Sequence, residues 1–132
     1  MSFKRVLPAA MLFALTWCAA APAKTVTYNN IVSPSKAIFC YAVQNSSEIQ
    51  CMAPYLPDIG EFDTYFGVRR SGRSRIAERS DFPGFGTPRR KLRDGDVWKR
   101  PGIRCTMRTS GLTCRNLDRH GFHIQRAKSY LF

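Results

Sequence analysis

Two stretches of the chain alternate apolar and polar residues around a pair of cysteines. One is IFCYAVQNSSEIQC, residues 38–51, and the other is IRCTMRTSGLTC, residues 103–114. Successive side chains of a β-strand point to opposite faces, so this alternation is typical of strands with one buried face. Each stretch predicts a β-hairpin, the first folded about Asn45-Ser46 and the second about Thr109-Ser110.

The two hairpins predict a disulfide pairing. Cys40 and Cys51 differ by eleven positions and Cys105 and Cys114 by nine, and an odd difference places two residues opposite each other across an even-length loop. Non-hydrogen-bonded partners lie about 4.5 Å apart at Cα, within reach of a disulfide. We therefore favour 40–51 and 105–114 over the two crossed pairings. Gly111 can supply the left-handed residue of the second loop. Apolar residues share the cysteine faces: Ile38, Ala42 and Ile49 in one hairpin, and Ile103, Met107 and Leu112 in the other.

The rest of the chain predicts further strands around a loop-rich middle. Residues 24–57 begin with the alternating KTVTYNNIV and end at prolines, and residues 119–132 alternate as a terminal strand pair would. Residues 58–100 are predicted to be loop-rich, with one helical turn around Arg75–Arg79. The expected fold class is all-β, mostly antiparallel, with two disulfide-stapled hairpins and a basic middle segment. The similar hairpins raise the hypothesis of an internal duplication, which two short matches alone do not establish.

Residues 1–23 have the three regions of a secretory signal peptide. Lys4 and Arg5 precede the apolar run Val6 to Trp17, and Ala21-Pro22-Ala23 offers a cleavage site after Ala23. A membrane anchor is the alternative, but the run is short against the ~20 residues that span a bilayer. A lipid anchor on Cys18 ranks third. Cleavage leaves residues 24–132 as one small domain with four of the five cysteines, the even number expected of an exported, disulfide-bonded protein. The predicted location is the periplasm or the exterior.

The chain is strongly basic. Its 21 Lys and Arg face nine Asp and Glu, a formal charge of +12 that becomes +10 without Lys4 and Arg5. Arginine dominates, and its guanidinium group suits phosphate or carboxylate. Aromatic residues lie between the arginines and are candidate anchors: Tyr65, Phe66, Phe82, Phe85 and Trp98. Eight residues form the predicted anion-binding segment: Arg69, Arg70, Arg73, Arg75, Arg89, Arg90, Lys91 and Arg93. A solvated basic surface without a ligand is the competing interpretation.

The carboxy-terminal residues resemble the signature of a bacterial family of small exported proteins of unknown function. That pattern is Cys, Gly-Leu-x-Cys-x-Asn, His-Gly-Phe and Tyr-x-Phe, here Cys105, Gly111, Leu112, Cys114, Asn116, His120, Gly121, Phe122, Tyr130 and Phe132. SPSKAIFC, residues 33–40, resembles its amino-terminal block. Arg119 departs from the pattern, which has glycine there. The resemblance covers about half of the predicted mature chain and implies export, disulfides and a β-rich fold, but no activity.

No pattern of catalytic or metal-binding residues stands out. The cysteine pairs are spaced too widely for a zinc knuckle, and no Cys-x-x-Cys is present. His120 and His123 would point to opposite faces of a strand. Glu61 and Asp63 are a carboxylate pair of a kind common by chance, and no serine lies in a nucleophile elbow. We assign no catalytic, cofactor-binding or metal-binding residue, and we predict a protein that is not an enzyme.

Two functional hypotheses follow. The first is an exported binding or envelope-accessory protein that contacts an anionic polymer, such as lipopolysaccharide phosphate or an acidic glycan, through the arginine-rich segment. Nucleic acid is disfavoured, because no nucleic-acid-binding motif is present. The alternative is a partner-binding module, an inhibitor or effector, that uses the hairpin loops 44–47 and 108–111. An enzyme that depends on His120 ranks third.

Overall fold

The computed structural model describes residues 24–81 and 89–132, and this part of the chain is folded entirely from β-strands and their connections. The predicted signal peptide, Phe82 and Phe85 lie outside the described residues. None of the described residues belongs to a helix long and apolar enough to cross a membrane. The all-β, mostly antiparallel fold class is confirmed.

Twelve strands follow one another along the described chain. In the first half they are β1 (Thr25–Val26), β2 (Asn30–Val32), β3 (Phe39–Ala42), β4 (Ile49–Met52), β5 (Asp63–Val68) and β6 (Arg75–Arg79). In the second half they are β7 (Arg90–Lys91), β8 (Val97–Arg100), β9 (Ile103–Arg108), β10 (Gly111–Asn116), β11 (Gly121–Ile124) and β12 (Tyr130–Leu131).

The two halves share one topology and exchange their first strands. The first sheet has the order β7-β2-β3-β4-β5-β6, and the second has the order β1-β8-β9-β10-β11-β12. Each half thus forms an antiparallel meander of five strands, and its short leading strand pairs in parallel with the first meander strand of the other half. The disulfides occupy the same place in both meanders. The repeated order supports the hypothesis of a duplication.

A hydrophobic core lies between the two sheets. Phe66 in β5 and Phe122 in β11 meet edge to face with ring centroids 5.8 Å apart, and these residues occupy equivalent positions in the two halves, each paired with a half-cystine. Trp98 is fully buried, and its indole N–H donates to the carbonyl of Tyr28 at 2.6 Å. Val26 of the exchanged strand β1 pairs with Trp98 and is buried with it. The exchanged strand therefore completes the core of the other half.

Both predicted disulfides and both hairpin registers are confirmed. Cys40 pairs with Cys51 and Cys105 with Cys114, with Cα atoms 4.0 Å apart in each pair and all four residues fully buried. Ala42 lies opposite Ile49, and Met107 lies opposite Leu112. Gly111 has a φ of 118°, the left-handed conformation expected at the end of the second loop.

The helical turn predicted around Arg75–Arg79 is wrong. These residues form β6, the edge strand of the first sheet, and pair with β5 throughout their length. Ile76 lies opposite the buried Phe66, and this pairing satisfies the backbone and covers the core more fully than an isolated helical turn would.

Candidate anion-binding surfaces

The structure divides the eight predicted anion-binding residues between opposite edges of the first sheet. Arg69, Arg70, Arg73 and Arg75 belong to the β5–β6 connection and the start of β6, whereas Arg89 to Arg93 surround β7. Five strand spacings separate β6 from β7, roughly 24 Å at about 4.8 Å each. The eight residues therefore form two separate surfaces.

At the β6 edge, two of the four arginines bind a buried carboxylate. Arg69 Nε lies 3.0 Å from Glu48 Oε2, and an Arg75 guanidinium nitrogen lies 2.8 Å from Glu48 Oε1. The Glu48 side chain is 2% exposed, whereas those of Arg69 and Arg75 are 63% and 49% exposed. The charge of this cluster is thus partly neutralised within the protein.

Glu48 is ionised because its partners outweigh its burial. Burial alone would raise the pKa of this carboxyl, but hydrogen bonds from Arg75, Gln50 and Arg69 hold the pKa below its ordinary value. The network continues across the outer face of the first sheet, the face turned away from the core. The Gln50 carbonyl oxygen accepts from Tyr41 at 2.8 Å and from Arg79 at 3.1 Å. This network orders the surface.

The arginine-rich β5–β6 connection is fixed against the second half by Asn116. The buried side-chain amide of Asn116 donates to the carbonyls of Arg69 at 3.0 Å and Gly72 at 2.7 Å. Its oxygen accepts from the backbone N–H groups of Asp118 and His120. Asn116 belongs to the resemblance motif, and in this structure it joins two loops from different sheets.

At the opposite edge, β7 lines a surface cleft of about 960 Å³ in volume. We call it the basic cleft. Two carboxylates, Asp94 and Asp96, also line it, and the buried Asp96 accepts a hydrogen bond from the backbone N–H of Arg93 at 2.8 Å. Six cationic side chains line this cleft: Lys24, Arg89, Arg90, Lys91, Arg93 and Arg108.

Arg89 stands apart from its neighbours in the basic cleft. Its guanidinium carbon lies 3.8 Å from the centroid of the Phe39 ring, the distance of a close cation–π contact. Phe39 is buried, so the contact holds Arg89 against the first sheet. Arg90 and Lys91 are exposed, and their charges face solvent.

A third basic surface lies on the second sheet, and the sequence analysis did not identify it. Lys99, Arg104 and Arg115 lie side by side on β8, β9 and β10 in direct cross-strand register, and all three are exposed. We call these three residues the cationic row. The predicted pairing of Cys105 with Cys114 already implied that Arg104 faces Arg115, so this signal was available in the sequence.

Other residues named in the sequence analysis have structural contacts. His123 Nδ1 lies 2.7 Å from the Thr113 hydroxyl, and the His123 ring packs against Tyr130 at 5.4 Å. The prediction that Phe66 and Trp98 anchor a ligand is wrong, because both are buried in the core. Residues 24–81 and 89–132 contain no group of three His, Cys, Asp or Glu side chains arranged to hold a metal ion.

The two hairpin loops of the partner-binding hypothesis lie in different places. Gln44, Asn45 and Ser46 line a shallow cleft of about 610 Å³ beside Arg79 and Arg100. Arg108 and Thr109 instead line the basic cleft. The loops therefore do not form one joint contact surface within either cleft.

Comparisons of the chain with protein-family models, with curated proteins and with solved structures give no significant match.

Proposed function

We propose that this chain is an exported, non-enzymatic protein that binds an anionic polymer of the cell envelope in the basic cleft. The observation that carries the proposal is the gathering of six cations and two carboxylates around one concave surface, counted among the described residues. A concave surface with one dominant charge concentrates counter-ions and attracts polyanions. Arginine also binds sulfate, phosphate and carboxylate groups through paired hydrogen bonds.

The basic cleft is a better candidate than the Arg69–Arg75 cluster. Glu48 already occupies Arg69 and Arg75, so an external anion would compete with a buried internal carboxylate. In the basic cleft, Asp96 accepts from the backbone N–H of Arg93, and Arg90, Lys91 and Arg93 are exposed. We therefore assign the main anion-binding role to Arg90, Lys91 and Arg93.

Export is part of the same proposal. Two buried disulfides are typical of proteins that fold in an oxidising compartment. The three-region pattern of residues 1–23 supports cleavage after Ala23 and delivery to the periplasm or beyond. Cleavage there would place the new α-amino group on Lys24, which lines the basic cleft and would gain a further positive charge.

The test compares retention of matched variants on heparin and phosphate resins across a salt gradient. Arg90→Gln/Lys91→Gln removes two charges from the basic cleft, and Arg119→Gln/Arg126→Gln removes two from exposed sites that line neither the basic cleft nor the cationic row. We expect the cleft variant to elute at clearly lower salt than the control variant, because counterion release scales with the number of cations in contact.

Both variants should keep the unfolding free energy within about 0.5 kcal/mol of the parent, as exposed substitutions usually do. Elution of the two variants at the same salt concentration would show that retention depends only on net charge. The basic cleft would then not be the binding site. Loss of the fold in the cleft variant would be detected by thermal denaturation, and the single substitution Lys91→Gln would then serve in its place.

A further inference from the structure

The cationic row opposes like charges directly across three strands. Lys99 faces Arg104, and Arg104 faces Arg115, so three positive side chains span two strand spacings, roughly 10 Å. Like charges in such positions destabilise a sheet. Residues that destabilise the folded state indicate a role in binding rather than in folding.

No carboxylate of the described residues relieves this repulsion. The surface cleft along the row is about 560 Å³ in volume. Among the described residues its lining includes no Asp or Glu and four cations, which are Lys99, Arg100, Arg104 and Arg115. None of the ion pairs found among residues 24–81 and 89–132 involves these four. Arg100 donates to the Thr27 carbonyl and to Asn29 Oδ1, both neutral, so it retains its net charge.

The other half of the molecule provides an internal comparison. The equivalent row on the first sheet consists of Val32, Phe39 and Met52, which pair across β2, β3 and β4 as the cations pair across β8, β9 and β10. The topology therefore does not require charge at these positions. The second half carries cations where the first half carries apolar side chains.

The cationic row continues towards the basic cleft along β9. Arg104, Thr106 and Arg108 alternate with buried residues and so lie on one face of this strand, and Arg108 lines the basic cleft. Arg104 and Arg108 are four residues apart, roughly 13 Å. Thr106 lies opposite Thr113, which offers hydroxyl groups between the two sets of cations.

We propose that the cationic row is a second oxyanion site, and that row and cleft together bind one linear sulfated or phosphorylated polysaccharide lying along β9. This proposal rests on the proposed function and specifies its ligand as a chain long enough to reach both sites. A short oligosaccharide would occupy either site alone, whereas a long chain would gain from simultaneous contact with both.

The side chains around the row favour a polysaccharide over nucleic acid or a membrane. Single-stranded nucleic acids need free aromatic faces on which bases stack. Here the Tyr130 ring contacts His123 and Lys128, and Arg115 covers the Phe132 ring. On this face of β9, Thr106 separates Arg104 from Arg108, rather than an apolar patch that could enter a bilayer. The face thus offers charge and hydroxyl groups.

The experiment measures stoichiometry and affinity by calorimetry with heparin-derived oligosaccharides of two lengths, one too short to reach both sites and one long enough. The row variant is Arg104→Gln/Arg115→Gln, the cleft variant is Arg90→Gln/Lys91→Gln, and the control is Arg119→Gln/Arg126→Gln. The parent and the control should bind two short oligosaccharides or one long one. Each site variant should bind one short oligosaccharide and lose roughly a hundredfold in affinity for the long one.

The outcomes separate this inference from the proposed function. If the row variant behaves like the control and the cleft variant loses one short oligosaccharide, the cationic row is not a second site. The proposed function of the basic cleft is then unaffected. A cleft variant that behaves like the control overturns both the cleft and the track along β9. A further outcome is that the parent binds single-stranded DNA or phosphatidylglycerol vesicles more tightly than heparin, with that binding lost in the row variant. This result would overturn the assignment of a polysaccharide as the ligand.

Discussion

At the scale of single residues, two buried polar side chains hold the arginine-rich connection in place. Glu48 binds Arg69 and Arg75, and Asn116 binds the backbone of the same segment from the other sheet. Buried polar groups are tolerated when their hydrogen bonds are satisfied. Here the partners of both side chains belong to a highly charged loop, so these hydrogen bonds hold the loop in place. Both residues are therefore expected to matter more for stability than for binding.

The substitution Glu48→Gln should destabilise the protein by about 1–2 kcal/mol at neutral pH, since the exposed arginines lose a charged partner and a buried acceptor changes. The folded state lowers the pKa of Glu48, so its contribution is complete above the ordinary carboxyl pKa of about 4.5 and is lost as the pH falls through the folded value. Urea denaturation of both proteins should show the difference shrinking below that pH.

Glu61→Gln, at an exposed carboxylate, is the control for this measurement. A difference between parent and Glu48→Gln that stays constant from neutral to acidic pH would contradict the role assigned to the Glu48 charge.

Asn116→Ala should lower the unfolding free energy by about 3 kcal/mol, because four hydrogen bonds of a buried amide are lost. The substitution Gln44→Ala, at an exposed loop position, should change it by less than about 0.5 kcal/mol. Equal denaturation midpoints for the two variants would show that Asn116 is dispensable for docking of the loop.

At the scale of elements, each hairpin has a disulfide on its inner face, whereas the outer faces of the two hairpins differ from each other. The disulfides and the branched aliphatic residues point into the core in both halves. The outer faces differ, with a hydrogen-bonded network on the first sheet and, on the second, cations that form no ion pair with any described residue. The same strand pairing thus supports two surfaces of opposite character.

Removal of one disulfide by Cys105→Ala/Cys114→Ala should cost about 2.5–3 kcal/mol, and the same change at Cys40 and Cys51 should cost a similar amount, since the closed loops are of similar length. Thermal denaturation of each double variant measures the loss. The purified native protein, lacking residues 1–23, should show no free thiol. Two or more reactive thiols in the native state would contradict the pairing.

Arg104→Thr should stabilise the second sheet by about 0.2–1 kcal/mol, because it removes the central charge of the row and adds a residue that favours strands. The same substitution should weaken heparin binding. A matched change at an exposed site outside the row, Arg73→Thr, should leave stability within experimental error. A loss of stability in Arg104→Thr would show that the row supports the fold.

The sequence was sufficient to predict strand pairing between residues close along the chain. It was insufficient to predict pairing between residues far apart along the chain. The cysteine spacing and the alternation around Ile38 and Ile103 predicted both hairpins, since partner residues there are close along the chain. The alternation of KTVTYNNIV predicted a strand at β1 but not its partner, and β7 has only two residues. Both strands pair with an edge that the other half of the chain presents. The arginine clusters were visible, but Glu48 lies 21 residues from Arg69 and 27 from Arg75, too far for spacing to indicate the pairs.

At the scale of the whole molecule, the exchanged strands make the two halves depend on each other. Val26 pairs with Trp98 in the second sheet, and the backbone N–H of Leu92 donates to the Val32 carbonyl at 2.9 Å beside the first sheet. Trp98 is the one tryptophan outside residues 1–23, so its fluorescence reports the completion of the core.

Separate fragments 24–81 and 82–132 should each remain unfolded, because each lacks a strand and half of the shared core. Mixed under oxidising conditions, they should recover strand content in circular dichroism and the blue-shifted emission of a buried Trp98. The uncut chain 24–132 is the reference. Folding of either fragment alone would contradict the mutual dependence of the halves.

The reciprocal placement of β1 and β7 also affects when folding can finish. A chain that crosses a membrane amino terminus first would present β1 early, but the strand that receives it lies more than 70 positions further on. The first sheet likewise is incomplete until residues 90–91 pair with β2. If the chain is exported in this way, it could not close its core before the second half had crossed, and it would stay unfolded enough to pass through the membrane until then.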